Sequence, residues 1–212
     1  MFTSQRIYIL SLLISIAAIF PAAAQKIDKN EVYEKLMEKY AEPETIVVRF
    51  HLPGIEDMQG LLKAKRGNKY RLRMNGQTVV SDGETIWNYM PADKSVMISN
   101  YGDAGDALSL EQFFFDIIDS FKPTGLYRYT ASDRENSYKL KLEPPQSGAN
   151  IHDIKSIDLY FDIGTYDILS IAVYTAGDNF SWDIDSIRMD EDLSDDVFEF
   201  QPPEDAEVID MR

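Results

Sequence analysis

The stretch Lys69-Tyr70-Arg71-Leu72-Arg73-Met74-Asn75-Gly76 decides the fold class. Tyr70, Leu72 and Met74 alternate with Lys69, Arg71 and Arg73, the period of a strand with one apolar and one wet face. Asn75-Gly76 then supplies a two-residue hairpin turn, because both residues accept positive φ. The same alternation recurs along the chain. Ile46, Val48, Phe50 and Leu52 share one side. Tyr138, Leu140 and Leu142 oppose Lys139, Lys141 and Glu143. Ile157, Leu159, Phe161 and Ile163 oppose Asp158, Tyr160 and Asp162, and Phe180, Trp182 and Ile184 oppose Ser181, Asp183 and Asp185. Turn signals lie between them at Arg66-Gly67-Asn68, Asp82-Gly83, Pro91-Ala92-Asp93 and Gly164-Thr165. About eleven strands are expected, most joined by tight hairpins.

Two helices interrupt this pattern. The first starts at Asp28 with Glu31 three residues on, a capping box, and carries Val32, Leu36, Met37 and Tyr40 on one face before Pro43 ends it. The second starts near Ser109. Phe113, Phe114, Phe115, Ile117, Ile118 and Phe121 make it apolar over more than half its circumference, where a surface helix needs only a stripe. It is either a deeply buried helix or one whose second face meets a removable apolar ligand. Two helices are too few to cover so large a sheet from outside. The expected fold is therefore mainly β (α+β), a strongly curved antiparallel sheet of barrel-like shape with the helices on its concave side.

The chain has 212 residues, 44% of them hydrophobic, with 11 Phe and 12 Tyr, enough for a core. Its 36 acids against 21 bases give a net charge of -15, which repels phosphate backbones and makes nucleic acid an unsuitable partner. The absence of cysteine excludes disulfides, thiolate metal sites and a cysteine nucleophile. Residues 1–24 read as a cleaved export signal: Arg6, an apolar run from Ile7 to Phe20, Pro21, then Ala22-Ala23-Ala24. That run is short for a bilayer span of about 20 residues. One domain, 25–212, is expected to act outside the cytoplasm as a monomer.

Motifs for catalysis are missing: no G-x-S-x-G, no H-E-x-x-H, no phosphate-binding glycine loop. His51 is expected to point outward from its strand, and His152 beside Asp153 has no identifiable nucleophile. Asp190-Glu191-Asp192 and Asp195-Asp196 fit no EF-hand spacing and read as a solvated acidic loop. Neither metal nor cofactor is expected. Arg66 shares a parity with Leu62 and Ala64. It is either an exposed hairpin arginine or a guanidinium at the rim of an apolar chamber, where it would seek carbonyl oxygens.

The run Val80-Ser81-Asp82-Gly83-Glu84-Thr85-Ile86-Trp87-Asn88-Tyr89-Met90-Pro91 resembles the hallmark of the LolA family, periplasmic carriers of outer-membrane lipoproteins. The tail Phe198-Glu199-Phe200-Gln201-Pro202-Pro203, followed by Val208-Ile209-Asp210, is similar to the family's closing segment, and Gly60 to Met74 is similar to one of its hairpins. The resemblance covers nearly the whole chain after residue 24. It implies an unclosed eleven-stranded β-barrel with a helical lid. It also implies that Arg66 takes the place of an arginine that hydrogen-bonds to the lid and keeps the empty cavity closed. Two positions depart from the pattern: Gly67 replaces a proline, and Leu72 stands where tryptophan is common. A looser hairpin is the expected consequence.

The implied function is to bind the acyl chains of outer-membrane lipoproteins and ferry them from the inner to the outer membrane. Implied partners are acylated lipoproteins and an inner-membrane ABC release complex, with the outer-membrane acceptor left open. Val48, Phe50, Leu72, Met74, Trp87, Phe113, Phe114, Ile117, Leu140 and Phe161 are the expected lining or lid residues, each with ordinary core packing as the alternative. Trp87 and Tyr89 alternate with Ile86, so which side faces inward stays open there. Rival readings are a lipid sensor resembling RseB-type anti-sigma partners, whose second domain a chain ending at 212 is expected to lack, a glycolipid-delivery protein, and a secreted hydrolase.

Overall fold

The computed structural model describes residues 27–40, 42–54, 58–102, 110–118, 120–130, 136–145, 154–177 and 179–212. The expected export signal, Ser109 and His152 lie outside the described residues, as does the side chain of Ile117.

Helix α1 (Lys29–Tyr40) precedes six strands: β1 (Thr45–His51), β2 (Gln59–Lys65), β3 (Lys69–Met74), β4 (Gln77–Asp82), β5 (Thr85–Met90) and β6 (Ser95–Asn100). A short helix, α2 (Leu110–Gln112), runs directly into a π-helical turn, Phe113–Ile117. Then come β7 (Lys122–Arg128), β8 (Ser137–Glu143), β9 (Ile154–Asp162), β10 (Ile168–Thr175) and β11 (Asn179–Met189). A 3₁₀ turn (Asp195–Phe198) leads to β12 (Glu207–Asp210).

The strands form one curved, unclosed sheet in the order β12-β6-β5-β4-β3-β2-β1-β11-β10-β9-β8-β7. All neighbours are antiparallel except β12, which runs parallel to β6. Twelve strands rather than about eleven make the sheet. The order has a consequence for the opening. The connection from β6 to β7 leads from beside one edge of the sheet to its opposite edge. Its described part carries the phenylalanine-rich helix, whose Phe113, Phe114, Ile118 and Phe121 lie against the concave side.

Register assigns the two faces. Phe50 pairs with Gly60, Gly60 with Met74, Val48 with Leu62, Leu62 with Leu72, and Ile46 with Ala64. Across the sheet, Leu140 pairs with Leu159 and Leu159 with Ile171. These side chains share the inner face and one hydrophobic cluster with α1 and the lid. A second, smaller core lies on the outer face. Val80, Trp87 and Ile98 share an outward rung, and Val80, Val96, Ile98 and Phe198 are buried outside the main cluster. The segment after β11 crosses this face: Arg71 Nε donates to Val197 O at 2.6 Å, and the rings of Tyr89 and Phe200 lie 5.8 Å apart.

The β2–β3 hairpin corrects one expectation. Gly67 has φ +87° and Asn68 +62°. Proline, fixed near about −65°, cannot occupy position 67. The departure is thus a different, left-handed turn and not a loosened one, and pairing persists to Lys65–Lys69 at its mouth. Nearby, Phe50 lies flat over Gly60, where an added Cβ would sit 2.2 Å from the ring. Gly60→Ala is expected to cost about 1–3 kcal/mol by overpacking, read by chemical denaturation. Adding Phe50→Leu to that variant should recover part of the loss, whereas additive losses would show that the ring is not the obstacle.

Candidate functional site

The inner face is closed by its own chain. Phe113, Phe114, Ile118 and Phe121 are buried in the same cluster as Val48, Phe50, Leu140, Phe161 and Ile171. Phe113 and Phe114 meet edge to face at 5.3 Å, and Phe114 lies 6.1 Å from the Tyr40 ring. The lid is shorter than its sequence suggests and wound more widely: Ile118 N donates to Phe113 O at 3.0 Å, a five-residue step. Three consecutive phenylalanines spread about 100° apart on an α-helix, so no single stripe can bury them all. Two are fully buried and the third, Phe115, remains at the rim.

Arg66 reaches that third ring. Its guanidinium lies 5.1 Å from the Phe115 centroid, and its Nε donates to Pro43 O at 3.1 Å. One side chain therefore joins the β2–β3 hairpin, the α1–β1 connection and the lid. A half-buried cation over an aromatic face contributes about 0.5–2 kcal/mol. The far end of the lid is held by α1. Tyr33 Oη donates to Phe121 O at 2.7 Å and to Ile118 O at 3.2 Å, and Lys29 Nζ donates to Pro123 O.

Of the lining residues expected from sequence, Val48, Phe50, Phe113, Phe114, Leu140 and Phe161 lie in the main cluster, with Leu72 and Met74 packed against it. Trp87 does not. It pairs with Val80 and Ile98 on the outer face, beside the C-terminal tail, while Ile86 and Asn88 point inward. Sequence reasoning missed Phe115 as the ring beneath Arg66, and also Tyr33 and Tyr40. Tyr40 Oη accepts from Ile168 N at 3.1 Å, coupling α1 to β10. Also missed was Glu111, buried at 1% exposure on the lid. Burial first, and the charges of Glu111 and Tyr101 next, push the Tyr70 phenol far above its ordinary range.

His51 faces outward as expected, with Nδ1 3.0 Å from Asp185 Oδ1 and Nε2 3.4 Å from Asp183 Oδ2. In the acidic segment, Asp195 engages Lys65 at 2.8 Å and Lys69 at 3.3 Å, and Asp190 Oδ1 caps Glu44 N at 3.0 Å.

A carboxylate held below its ordinary range meets each end of α1, Asp28 just before its start and Asp167, from the β9–β10 connection, at Lys39 in its last turn. Asp28 accepts from the backbone of Asn30 at 2.7 Å and Glu31 at 3.3 Å, which lowers its pKa. Asp167 is lowered by Lys39, at 2.7 Å, and by Thr165. A depressed carboxylate stabilises the fold fully above the unfolded value, here 3.8, and that contribution is lost as pH falls through the lower folded value. In an NMR acid titration, the amide signals of Asn30 and Glu31 should therefore move with a midpoint below 3.8. A midpoint at or above that value would contradict the cap.

Comparison with known proteins adds three kinds of finding. The family model described as "Outer membrane lipoprotein carrier protein LolA" matches residues 47–201. An uncharacterized protein of Methanocaldococcus jannaschii, MJ0687, is 22% identical over 95% of this chain, which spans only 59% of that relative. An outer-membrane lipoprotein carrier protein of Haemophilus ducreyi is 26% identical over 161 residues, 74% of this chain and 71% of the relative. Among solved structures, an uncharacterized conserved protein from Thermus thermophilus is similar over 85% of this chain and 98% of its own, with TM-score 0.46 and 14% identity.

Proposed function

The chain belongs to the LolA family of outer membrane lipoprotein carrier proteins, and we propose that it shields the acyl chains of lipoproteins while they cross an aqueous compartment. The observation that carries this reading is the lid. Phe113, Phe114 and Ile118 fill an apolar concavity, and the segment that bears them is held by Arg66 at Phe115 and by Tyr33 at Phe121.

Acyl chains need cover because each CH₂ taken from water contributes about 0.8 kcal/mol. A carrier must also let go. If the empty cavity is occupied by the protein's own phenylalanines, an entering chain displaces contacts of its own kind. The net gain is the difference, and apparent affinity falls by the fraction of time the lid is open. In this reading Val48, Phe50, Leu72, Met74, Leu140 and Phe161 line the acyl site, and Phe113, Phe114 and Ile117 belong to the lid. Arg66 locks it closed. The donor would be an inner-membrane ABC release complex and the destination the outer membrane.

The test is a release assay. Spheroplasts receive the purified protein, membranes are pelleted, and the supernatant is examined for acylated lipoproteins in a one-to-one complex. Their appearance supports the carrier. If none appear while fluorescent fatty-acyl probes still bind, the protein carries a different lipid. Arg66→Leu removes the contacts to Phe115 and Pro43. It should shift the lid toward open by on the order of tenfold, so that this variant accepts cargo but transfers it to acceptor membranes more slowly. Transfer at the native rate would remove Arg66 from the locking role.

A further inference from the structure

The outer face of β1–β3 carries a charge pattern that neither lid nor cavity uses. Register puts Arg49, Leu61 and Arg73 on one rung, and Arg188, Val47, Lys63 and Arg71 on the next. A third rung sets Lys65 opposite Lys69. Like charges directly opposite across antiparallel strands destabilise the pair. Lys63 faces Arg71 all the same, in a chain with 36 acids to 21 bases.

The C-terminal tail answers only part of this stripe. Asp195 pairs with both Lys65 and Lys69, one negative charge against two positive ones. Arg71 donates to the carbonyls of Val197 and Glu199, at 2.6 and 2.7 Å, neutral acceptors that take two of its N–H groups but leave its charge. Burial first, and Arg73 next to it, lower the Arg71 pKa, as expected of a crowded cation. Arg188 Nε stands 3.7 Å from Glu191. Arg49, Lys63 and Arg73 make no ion pair with the described residues. Between them, Leu61, Lys63, Arg71 and Arg73 wall a shallow depression of about 70 Å³.

We propose that this face docks an acidic segment of a partner protein, its carboxylates on Arg49, Lys63 and Arg73 and an apolar side chain over Leu61. Charge decides between a protein and an anionic bilayer. A flat, uniformly negative membrane laid on this face also meets the exposed carboxylates of Asp183, Asp185 and Asp195 beside the patch, which repel it. A protein can present acids at this patch alone, within the roughly 8 Å over which charges act at physiological salt. The proposal is independent of what the cavity carries.

The test uses the purified protein and a fluorescein-labelled peptide of alternating glutamate and leucine, followed by anisotropy at low and physiological salt. Phosphatidylglycerol vesicles form a second arm. Two variants are compared. One combines Arg49→Gln, Lys63→Gln and Arg73→Gln. The other removes the same charge elsewhere, with Lys122→Gln, Arg128→Gln and Lys155→Gln. Patch neutralisation should weaken peptide binding about tenfold or more and flatten its salt dependence, while the control variant stays within about twofold of native. Because it relieves like-charge repulsion, the patch variant should melt at or above the native temperature, which guards against misfolding. Equal losses in both variants, no peptide binding by the native protein, or patch-dependent binding to vesicles but not to peptide would each overturn the proposal.

Discussion

A concave apolar sheet cannot stand open to water, and this sheet does not close on itself. Its edges, β7 and β12, are the first and last members of a twelve-strand order rather than neighbours. The exposed inner face would leave Val48, Phe50, Leu140, Leu159, Phe161 and Ile171 in solvent, at about 1.5–3 kcal/mol for each large side chain. Something apolar must fill it. The connection between β6 and β7 places Phe113, Phe114, Ile118 and Phe121 on that side, so the filling and the crossing are one segment.

The same constraint explains how the lid is held. Its interior contacts are non-directional and would be equally satisfied by any hydrocarbon. Its directional contacts sit at the rim: Arg66, itself bonded to Pro43, over Phe115, and Tyr33 on the carbonyls of Ile118 and Phe121. In the proposed carrier reading, substitution inside and release at the rim would be separate operations, carried by different residues. A ligand that competes only for the interior need not break the rim contacts with bonds of its own kind.

Much of this was legible in the sequence, and the failures have one physical cause. Alternation identified the inward residues of β1, β3, β8, β9 and β11, because one side of each is charged and the other apolar. It failed at Trp87, because β4–β6 are apolar outward. Their inner side mixes Val79 and Ile86 with Ser81, Asn88 and Ser99, and their outer side carries Val80, Trp87, Val96 and Ile98 beside the C-terminal tail. Periodicity shows that a strand has two sides but not which side a distant segment will cover. The π-helical turn was equally hidden. The apolar residues from Phe113 to Phe121 fit a buried helix, and only the geometry of the concavity fixes how tightly it winds. Parity with Leu62 and Ala64 left Arg66 either an exposed hairpin residue or a rim cation; only the family resemblance pointed to the rim, and nothing pointed to its partner ring.

Hydrogen exchange on the full protein, with and without a saturating diacylated lipopeptide, tests the displacement of lid by acyl chain most directly. If the acyl chains take the lid's place, backbone amides from Phe113 to Ile118 lose protection on binding, while those of Leu140, Leu159 and Ile171 keep theirs. If the lipopeptide binds and the lid amides stay as protected as before, the chains lodge elsewhere, and the phenylalanine segment is permanent core rather than a removable plug.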